Sequence, residues 1–390
     1  MAGLKGDTST SSGPDRRWAT PRLGFAAGSL RKGGGGIAEL SRQVFKTLLE
    51  LHREQRIELE LHVLEESGPA EDDELFDRED LPFMHWYAGS RWKFSSALLR
   101  SRADLVLYDH VGLARMQGML PAALARPYLL LIHSVEIWNN NRSDYHRTAR
   151  NARLLIANSE YTARKARRHY PDLPEIAVCW PGKDQVESGY SNRDGAYESL
   201  GPHAMLIVGR LDAEQRHKGH DHLIEAMPLV LEQVPDAQLV IAGGGSDRDR
   251  LESKSKALDV SDSILFTGRV EEPQLQELYT QCALFVMPSD GDGFGLVFLE
   301  AMMNRLPCVG LVQGAAAEIF EQGKSGKLVN RDDLVGMAND LSSLLLDGAR
   351  RTELGEAGYE RYQTCFTGQH HSARLRSVLM EQLEINNAPR

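Results

Sequence analysis

Two acidic residues flank a glycine-broken loop in the second half of the chain. Asp292 precedes the loop, and Glu300 lies inside a predicted helix over about Leu296–Met303. Gly293 and Gly295 have no Cβ, so the main chain there can come close to a ligand. The free N–H groups at the start of such a helix bind phosphate. Glu300 lies about 8 Å along the helix from Gly295, roughly the distance from a pyrophosphate to the ribose of the same nucleotide. This segment is therefore predicted to hold the phosphates, the ribose and a sugar hydroxyl together.

The segment resembles the E-x(7)-E signature of retaining family-four glycosyltransferases, usually written EGFGLxxLEA. Here it reads Asp292-Gly-Phe-Gly-Leu-Val-Phe-Leu-Glu300-Ala, with an Asp, one methylene shorter, at the first acidic position. The resemblance implies the GT-B fold, in which two doubly wound Rossmann-like domains face each other across a cleft. It also implies transfer of a sugar from a nucleotide donor to an acceptor hydroxyl with retention of the anomeric configuration. Alternating strand and helix patterns predict the same two α/β domains.

A pair of cations follows a predicted strand over Ala204–Gly209. Arg210 and Lys218 stand in a segment that resembles the family's V-G-R-L-…-K-G-x-D motif, with a longer interval between Arg and Lys. Cleavage of a sugar–phosphate bond leaves negative charge on the departing diphosphate, and an Arg fork with a Lys point charge stabilises that charge. Arg216 is the alternative to Lys218, which is preferred because Gly-His-Asp follows it in register with the motif.

The resemblance implies a role for each of these residues. Arg210 and Lys218 bind the leaving diphosphate, Asp292 binds a donor-sugar hydroxyl and Glu300 binds the ribose diol. The other predicted donor-binding residues belong to the helix start or to a glycine run at the first strand–helix turn: Gly293, Phe294, Gly295, Leu296, Gly35 and Gly36. The glycine run is also consistent with a flexible connector.

The first domain offers a histidine at the end of a buried strand. Tyr128–Ile132 is an apolar run typical of a parallel strand, and His133 follows it directly. Residues just past the carboxyl ends of such strands line the ligand crevice. His133 is therefore the predicted catalytic residue of this domain, and His110, after the strand over Asp104–Tyr108, is the second candidate.

Other chemistries remain open for the same residues. Asp290-Gly-Asp292 also has the form of a D-x-D metal site, although the resemblance implies neither a metal nor a cofactor. A sugar-nucleotide epimerase of the same fold would use donor without an acceptor. A non-catalytic nucleotide-sugar binder would bind donor without turnover.

Length and composition agree with a two-domain globular protein. The chain has 390 residues, a net charge of −10 and four widely spaced cysteines. These features argue against a general nucleic-acid binder and favour a reducing compartment. We expect a disordered leader over residues 1–20 and an acceptor-binding domain over 21–185, joined by a C-terminal helix over about 366–390. A nucleotide-sugar-binding domain is expected over 200–365, after a linker at Val186–Leu200.

Partners and location follow from the same resemblance. The expected donor is GDP-mannose or a UDP-hexose, and the expected acceptor is a glycan, a lipid-linked sugar or a small molecule, in polysaccharide or glycolipid assembly. Apolar runs are too short to span a membrane, so a cytoplasmic protein is predicted. The basic stretch Arg142–Arg168 has two interpretations: a contact with anionic membrane at the inner face, or a solvated helix face.

Overall fold

The computed structural model describes residues 20–70, 73–77, 82–121, 125–138, 142–185 and 200–387. The predicted leader lies outside these residues except for residue 20, and the predicted linker lies outside them except for residue 200. The remaining elements alternate between strand and helix along the chain, as the sequence patterns predict.

The strands are β1 (Arg22–Ala27), β2 (Glu58–Val63), β3 (Met84–Trp86), β4 (Leu105–Tyr108), β5 (Tyr128–Ile132), β6 (Leu154–Ala157), β7 (Ile176–Val178), β8 (Ala204–Val208), β9 (Gln238–Ala242), β10 (Ile264–Gly268), β11 (Leu284–Met287), β12 (Cys308–Leu311) and β13 (Lys327–Val329).

The helices are α1 (Gly36–Arg53), α2 (Arg91–Arg100), α3 (Val111–Met119), α4 (Val135–Trp138), α5 (Ser143–Arg150), α6 (Glu160–His169), α7 (His220–Gln233), α8 (Arg248–Ala257), α9 (Glu272–Gln281), α10 (Leu296–Met303), α11 (Ala316–Ile319), α12 (Leu334–Leu346), α13 (Gly348–Cys365) and α14 (Gly368–Asn387). Among the described residues, none of these helices is both long enough and apolar enough to cross a membrane.

The strands form two parallel sheets, which confirms the predicted pair of doubly wound domains. The first sheet has the order β3-β2-β1-β4-β5-β6-β7, and the second has the order β10-β9-β8-β11-β12-β13. In each sheet the strand order reverses beside the first strand of the domain, between β1 and β4 and between β8 and β11. In such sheets the crevice beyond the carboxyl ends at the reversal point is where ligands bind.

Burial follows the sequence patterns that predicted the strands. β4 and β5 read LVLY and YLLLI, and each of their residues is buried. Their side chains contribute to two apolar clusters, one on each face of the first sheet, because a parallel sheet covered by helices on both faces buries both faces. A third cluster fills the second domain.

The chain returns to the first domain at its end. Helix α14 carries Leu375, Leu379 and Leu383 into the apolar cluster that contains the buried face of α1. Arg376 on α14 donates to Glu50 of α1 and to Glu54, which directly follows α1, at 2.7–3.1 Å. This packing ties the last helix to the first one and adds a connection across the two domains.

Helix and strand bounds differ from the sequence-based ones by a few residues. Helix α10 and strand β5 have their predicted bounds, and β4 begins one residue after the predicted Asp104. Helix α7 begins at His220, because Gly219 in the left-handed conformation (φ 94°) ends the preceding 3₁₀ turn there. Strand β3 has three residues, too few for alternation to reveal it in the sequence.

Candidate active site

The reversal point of the second sheet brings the predicted cations and the glycine loop to one edge. Arg210 follows β8, and the loop that contains Asp292 follows β11, the neighbouring strand. A 3₁₀ turn, Ala213–Lys218, carries the chain back across the end of β8. A Cβ at Gly209 would lie 2.7 Å from Cδ of Lys218, so the lysine stem packs directly on the end of that strand.

Lys218 and Asp292 form an ion pair in this crevice. Nζ of Lys218 donates to Oδ1 of Asp292 at 2.8 Å, and the two side chains are 14% and 22% exposed. Burial alone would raise the pKa of Asp292, but the ammonium outweighs burial and holds that pKa below its ordinary value. Oδ2 of Asp292 is buried and accepts no hydrogen bond within the described part of the chain. One oxygen of this carboxylate therefore lacks a partner among the described residues, and a ligand hydroxyl that reaches it could supply one.

The start of α10 presents backbone N–H groups next to this pair. Gly295 adopts the left-handed conformation (φ 98°) as the N-cap, and Leu296 is the first helical residue. The ring of Phe294 is turned away from the loop into the core, where it packs edge-on against Phe366 at 5.7 Å. Main-chain atoms at these positions are thus the groups that a phosphate can contact.

Glu300 lies one helical turn farther along α10 and has two partners. Nζ of Lys183 donates to Oε1 at 2.6 Å, and the Tyr279 hydroxyl donates to Oε2 at 2.8 Å. Burial would lower the pKa of Lys183, but the Glu300 carboxylate outweighs burial and raises it. Burial and then the Glu300 charge raise the pKa of Tyr279 well above its ordinary value. The Glu300 side chain is therefore held by a hydrogen bond on each of its two oxygens.

The two arginines near Lys218 differ in their surroundings. Arg210 is 73% exposed, and its guanidinium lies 3.9 Å from Asp212. Arg216 instead forms a bidentate pair with Asp247 at 2.6 and 2.8 Å. Arg216 is therefore engaged in a structural ion pair, whereas Lys218 reaches the loop that contains Asp292.

The first domain supplies the opposite wall at its own reversal point. Asp109, directly after β4, accepts hydrogen bonds from the N–H of Gly28 at 2.9 Å and from the Ser41 hydroxyl at 2.8 Å. Burial raises the pKa of Asp109 from 3.8 to about 6. His133 is buried, and its Nε2 lies 2.5 Å from the carbonyl oxygen of Asp109. The predicted histidine thus lies at the strand ends, locked into the domain by a backbone contact.

Charged side chains surround that histidine. Glu136 accepts from the N–H of His133 at 2.6 Å. Burial would raise the pKa of Glu136, but His133 and then His110 outweigh it and lower that pKa. Burial lowers the pKa of His110, whose Nδ1 accepts from the N–H of Gly112 at 2.9 Å and so caps α3. His110, the second candidate, is a helix cap in this structure.

The two walls meet at the glycine loop. The carbonyl oxygen of Gly293 accepts from the hydroxyls of Ser159 and Thr162, at the start of α6. A Cβ at Gly293 would overlap the carbonyl oxygen of His133. The loop from the second domain is therefore in close contact with the strand end that carries His133.

Gly35 and Gly36, the predicted glycines of the first strand–helix turn, lie next to open space. Gly35 caps α1 with φ 97°, and Gly36 is the first residue of that helix. A Cβ at either position would meet nothing within 4 Å. This open space beside a helix N-terminus agrees with the predicted approach of a ligand, and the assignment stays a prediction.

The two carboxylates of the alternative D-x-D metal site are each paired with a basic side chain. Asp290 is paired with Arg331, and Asp292 with Lys218. A cation bound by both carboxylates would have to displace two internal positive charges. The expectation that no metal takes part stays a prediction.

Three residues at the cleft were not predicted as site residues. Lys183 lies in the Pro-Gly-Lys-Asp segment that leaves the first domain, and Tyr279 lies on α9. Glu318 accepts from the N–H groups of Glu160 and Tyr161 at 2.9 and 3.0 Å and also from the Trp180 indole. Contacts between distant segments are not encoded in local spacing, so the sequence offers only the Pro-Gly-Lys-Asp segment as a signal.

Comparison with known proteins identifies the second domain. Residues 195–361 match the family model described as glycosyl transferases group 1. The chain is 26% identical over 290 residues, 69% of its length, to a GDP-mannose-dependent monoacylated α-(1-6)-phosphatidylinositol monomannoside mannosyltransferase from Corynebacterium glutamicum, and covers 74% of that relative. It is 30% identical over 178 residues to a GDP-mannose-dependent α-(1-6)-phosphatidylinositol monomannoside mannosyltransferase from Mycolicibacterium smegmatis. That match takes in 44% of this chain and 47% of the relative.

Solved structures share the fold over nearly the whole chain. Sucrose-phosphate synthase from Thermosynechococcus elongatus superposes with a TM-score of 0.71 at 19% identity, over 94% of this chain and 100% of that one. Anabaena HepE in complex with UDP and glucose superposes with a TM-score of 0.69 at 18% identity, over 93% of this chain and 100% of that one. The predicted GT-B fold is confirmed, and the family match confirms the predicted glycosyltransferase.

Proposed function

We propose that this glycosyltransferase, whose residues 195–361 belong to group 1, moves a sugar from a nucleotide-sugar donor to an acceptor hydroxyl with retention of configuration. The observation that carries the proposal is the Lys218–Asp292 ion pair beside the N-terminus of α10. A cation and a helix N-terminus bind phosphate groups, and an ionised carboxylate accepts a sugar hydroxyl. All three lie together at the reversal point of the second sheet.

Each predicted donor contact has support in the geometry. Lys218 has two N–H groups left for phosphate oxygens after its bond to Asp292, and exposed Arg210 extends from the end of β8. The N–H groups of Gly295 and Leu296 take further phosphate oxygens. Oδ2 of Asp292 accepts a sugar hydroxyl, and Glu300 accepts the ribose diol. These positive groups stabilise the charge that forms on the leaving diphosphate.

The acceptor approaches from the first domain. His133 lies at the carboxyl end of β5 with its backbone against the glycine loop, and we assign it to the wall that faces the diphosphate-binding groups. The acceptor oxygen bonds to the anomeric carbon as the bond from that carbon to the leaving phosphate breaks, and the departing phosphate accepts the proton of the acceptor hydroxyl. Closure of the two domains excludes water and limits hydrolysis.

The donor is proposed to be GDP-mannose or a UDP-hexose. Two relatives are described as GDP-mannose-dependent mannosyltransferases, and HepE was solved with UDP and glucose, which supports both bases. Polysaccharide or glycolipid assembly is the proposed setting, since the mannosyltransferase relatives act on phosphatidylinositol mannosides.

Basic residues on α5 and α6 support a peripheral contact with anionic membrane at the inner face. The exposed members of this surface are Arg147, Arg150, Arg164, Lys165, Arg167 and Arg168. A polybasic surface is attracted to anionic lipid headgroups by about 1 kcal/mol per residue. Such a contact would bring a lipid-linked acceptor to a cytoplasmic enzyme.

A donor screen tests the proposal. UDP-, GDP- and ADP-sugars are incubated with the protein, and release of nucleoside diphosphate is followed with and without acceptors. Turnover should be abolished by Arg210→Ala and by Glu300→Ala while thermal unfolding shows that both variants remain folded. Near-native transfer by both variants would contradict the assigned site. Donor consumption without acceptor dependence would indicate an isomerase, and binding without turnover a non-catalytic binder.

A further inference from the structure

We propose that Lys183 is a positioning residue that makes donor binding depend on the ribose hydroxyls. Its ammonium holds the Glu300 carboxylate in one orientation, in which the carboxylate presents its remaining lone pairs to the ribose. The inference rests on the proposed function, because it takes Glu300 as the ribose-binding group.

The Lys183–Glu300 pair is shielded from water. The two side chains are 16% and 14% exposed, and Nζ lies 2.6 Å from Oε1. A lysine normally avoids such burial unless a partner compensates its charge. Glu300 compensates it first, and Glu39 at the start of α1 contributes a weaker attraction that also raises the pKa of Lys183. The ammonium therefore remains charged where it meets Glu300.

The remaining acceptor capacity of Glu300 is defined by its two partners. An ionised carboxylate has about four lone-pair positions. Lys183 takes one on Oε1, and the Tyr279 hydroxyl takes one on Oε2. One position per oxygen is left, which matches the two hydroxyls of a ribose diol. Because the acceptor is charged, each such hydrogen bond is stronger than one between neutral groups.

The main chain of Lys183 is fixed where the chain leaves the first domain. Its N–H donates to the carbonyl oxygen of Phe366 at 2.9 Å, and its own carbonyl oxygen accepts from the Tyr362 hydroxyl at 2.8 Å. Asp184 then caps α14 by accepting from the N–H of Gly368 at 3.1 Å. These hydrogen bonds fix the backbone at Lys183, so its side chain extends to Glu300 from a defined position and can orient the carboxylate.

The test compares nucleoside diphosphates with and without the 2′-hydroxyl. Whichever of UDP, GDP and ADP binds best is titrated calorimetrically beside its 2′-deoxy form, into wild type, Lys183→Met and Glu300→Gln. Wild type should prefer the ribonucleotide by about 10-fold or more, the ratio expected for a hydrogen bond to a charged acceptor. Lys183→Met should reduce this ratio to about threefold or less, chiefly through weaker binding of the ribonucleotide.

A matched control and a second variant keep the result interpretable. Lys46→Met removes a neighbouring charge that pairs with Asp184 at an exposed position, and its ratio should equal that of wild type. If Lys183→Met is too unstable to titrate, Tyr279→Phe takes its place. This variant removes the other hydrogen bond to Glu300 without leaving a buried charge unpaired, and it should lower the ratio of ribonucleotide to 2′-deoxynucleotide affinity. Thermal unfolding of every variant reports folding.

The possible results distinguish a failure of this inference from a failure of the proposed function. If wild type binds the two forms equally, Glu300 does not bind the ribose, and the assignment falls together with the inference. If Glu300→Gln removes the preference and Lys183→Met keeps it, only the inference is overturned. Equal weakening of both nucleotides by Lys183→Met would show a phosphate contact or a general structural role and would also overturn it.

Discussion

At the scale of single residues, the proposed donor site is built from two carboxylates that are each paired with a lysine. Asp292 is paired with Lys218 and Glu300 with Lys183, at 2.8 and 2.6 Å. Breaking a buried pair by removing one partner costs more than the pair contributes, because the remaining charge is left without compensation. Variants at these positions therefore change stability and binding together, and both must be measured.

Lys218→Met is expected to lower kcat by about 100-fold or more, since it removes charge stabilisation at the leaving diphosphate. It also leaves Asp292 uncompensated, which should raise the pKa of that carboxyl and lower the melting temperature. Adding Asp292→Asn should recover melting temperature without recovering kcat. Lys324→Met, at a 73% exposed side chain, is the control and should change neither quantity. Unchanged kcat in Lys218→Met would contradict the assigned clamp.

Asp109 gives a pH dependence whose sign follows from its pKa. Burial raises that pKa from 3.8 to about 6, so the folded chain holds the proton more tightly than the unfolded chain. The contribution of Asp109 to stability is thus greatest at low pH and is lost as the pH rises from about 4 to about 6. As the pH rises from about 4 to about 6, the unfolding free energy of wild type should fall by up to about 3 kcal/mol compared with that of Asp109→Asn. Urea unfolding at a series of pH values measures it, and parallel curves for the two proteins would contradict it.

Residue types and local spacing predicted part of the site but not its pairings. Asp292, Glu300 and the start of α10 lie within one short segment, so the sequence could relate them to a phosphate and a ribose. Lys183 and Tyr279 come from segments far from Glu300 in sequence, and their hydrogen bonds exist only after folding. The sequence already favoured Lys218 over Arg216, but it could not show that Arg216 is paired with Asp247, which lies on a different loop.

At the scale of elements, the loop between β11 and α10 lies at the proposed phosphate site and also takes part in the contact between the domains. Its amides begin α10, while the carbonyl oxygen of Gly293 accepts from Ser159 and Thr162 of the first domain. The sequence identified the strand, the loop and the helix, because apolar runs and glycines mark them locally. It did not identify the docking of the loop on α6, because that contact depends on how the two domains face each other.

Gly293→Ala should therefore disturb both activity and packing. A methyl group there would overlap the carbonyl oxygen of His133, so the loop must shift, at a cost of about 1–3 kcal/mol. We expect a lower melting temperature and a loss of at least about tenfold in kcat/KM, as is typical when a catalytic loop is misplaced. Gly68→Ala is the matched control, because a Cβ there meets nothing within 4 Å. Equal behaviour of the two variants would contradict the proposed contact.

At the scale of the whole molecule, the two domains are connected by specific polar contacts as well as by the chain crossings. Glu318 of the second domain caps α6 of the first, and the Trp180 indole donates to the same carboxylate. A carboxylate at a helix N-terminus is stabilised by the free N–H groups and by the helix dipole. The sequence predicted two domains and the crossing of the last helix but not this contact, which pairs residues from separate domains.

Glu318→Ala should loosen the domains without unfolding either of them. The start of α6 would lose its acceptor, and we expect faster limited proteolysis between the domains and a kcat/KM lower by about tenfold. Glu318→Gln, which keeps an acceptor oxygen, should be affected less. Glu356→Ala, an exposed partner of Arg305, is the control for a general loss of charge. A Glu318→Ala protein with native proteolysis and native kinetics would show that this contact does not hold the domains in a productive arrangement.

The central claim is that a nucleoside diphosphate binds in the cleft with its phosphates at Lys218 and α10 and its ribose at Glu300. A crystal structure of the chain with the diphosphate selected by the donor screen tests it most directly. We expect phosphate oxygens within hydrogen-bond distance of Lys218 and of the N–H groups of Gly295 or Leu296, with both ribose hydroxyls at Glu300. A nucleotide bound outside the cleft, or bound in the cleft with its ribose away from Glu300, would contradict it.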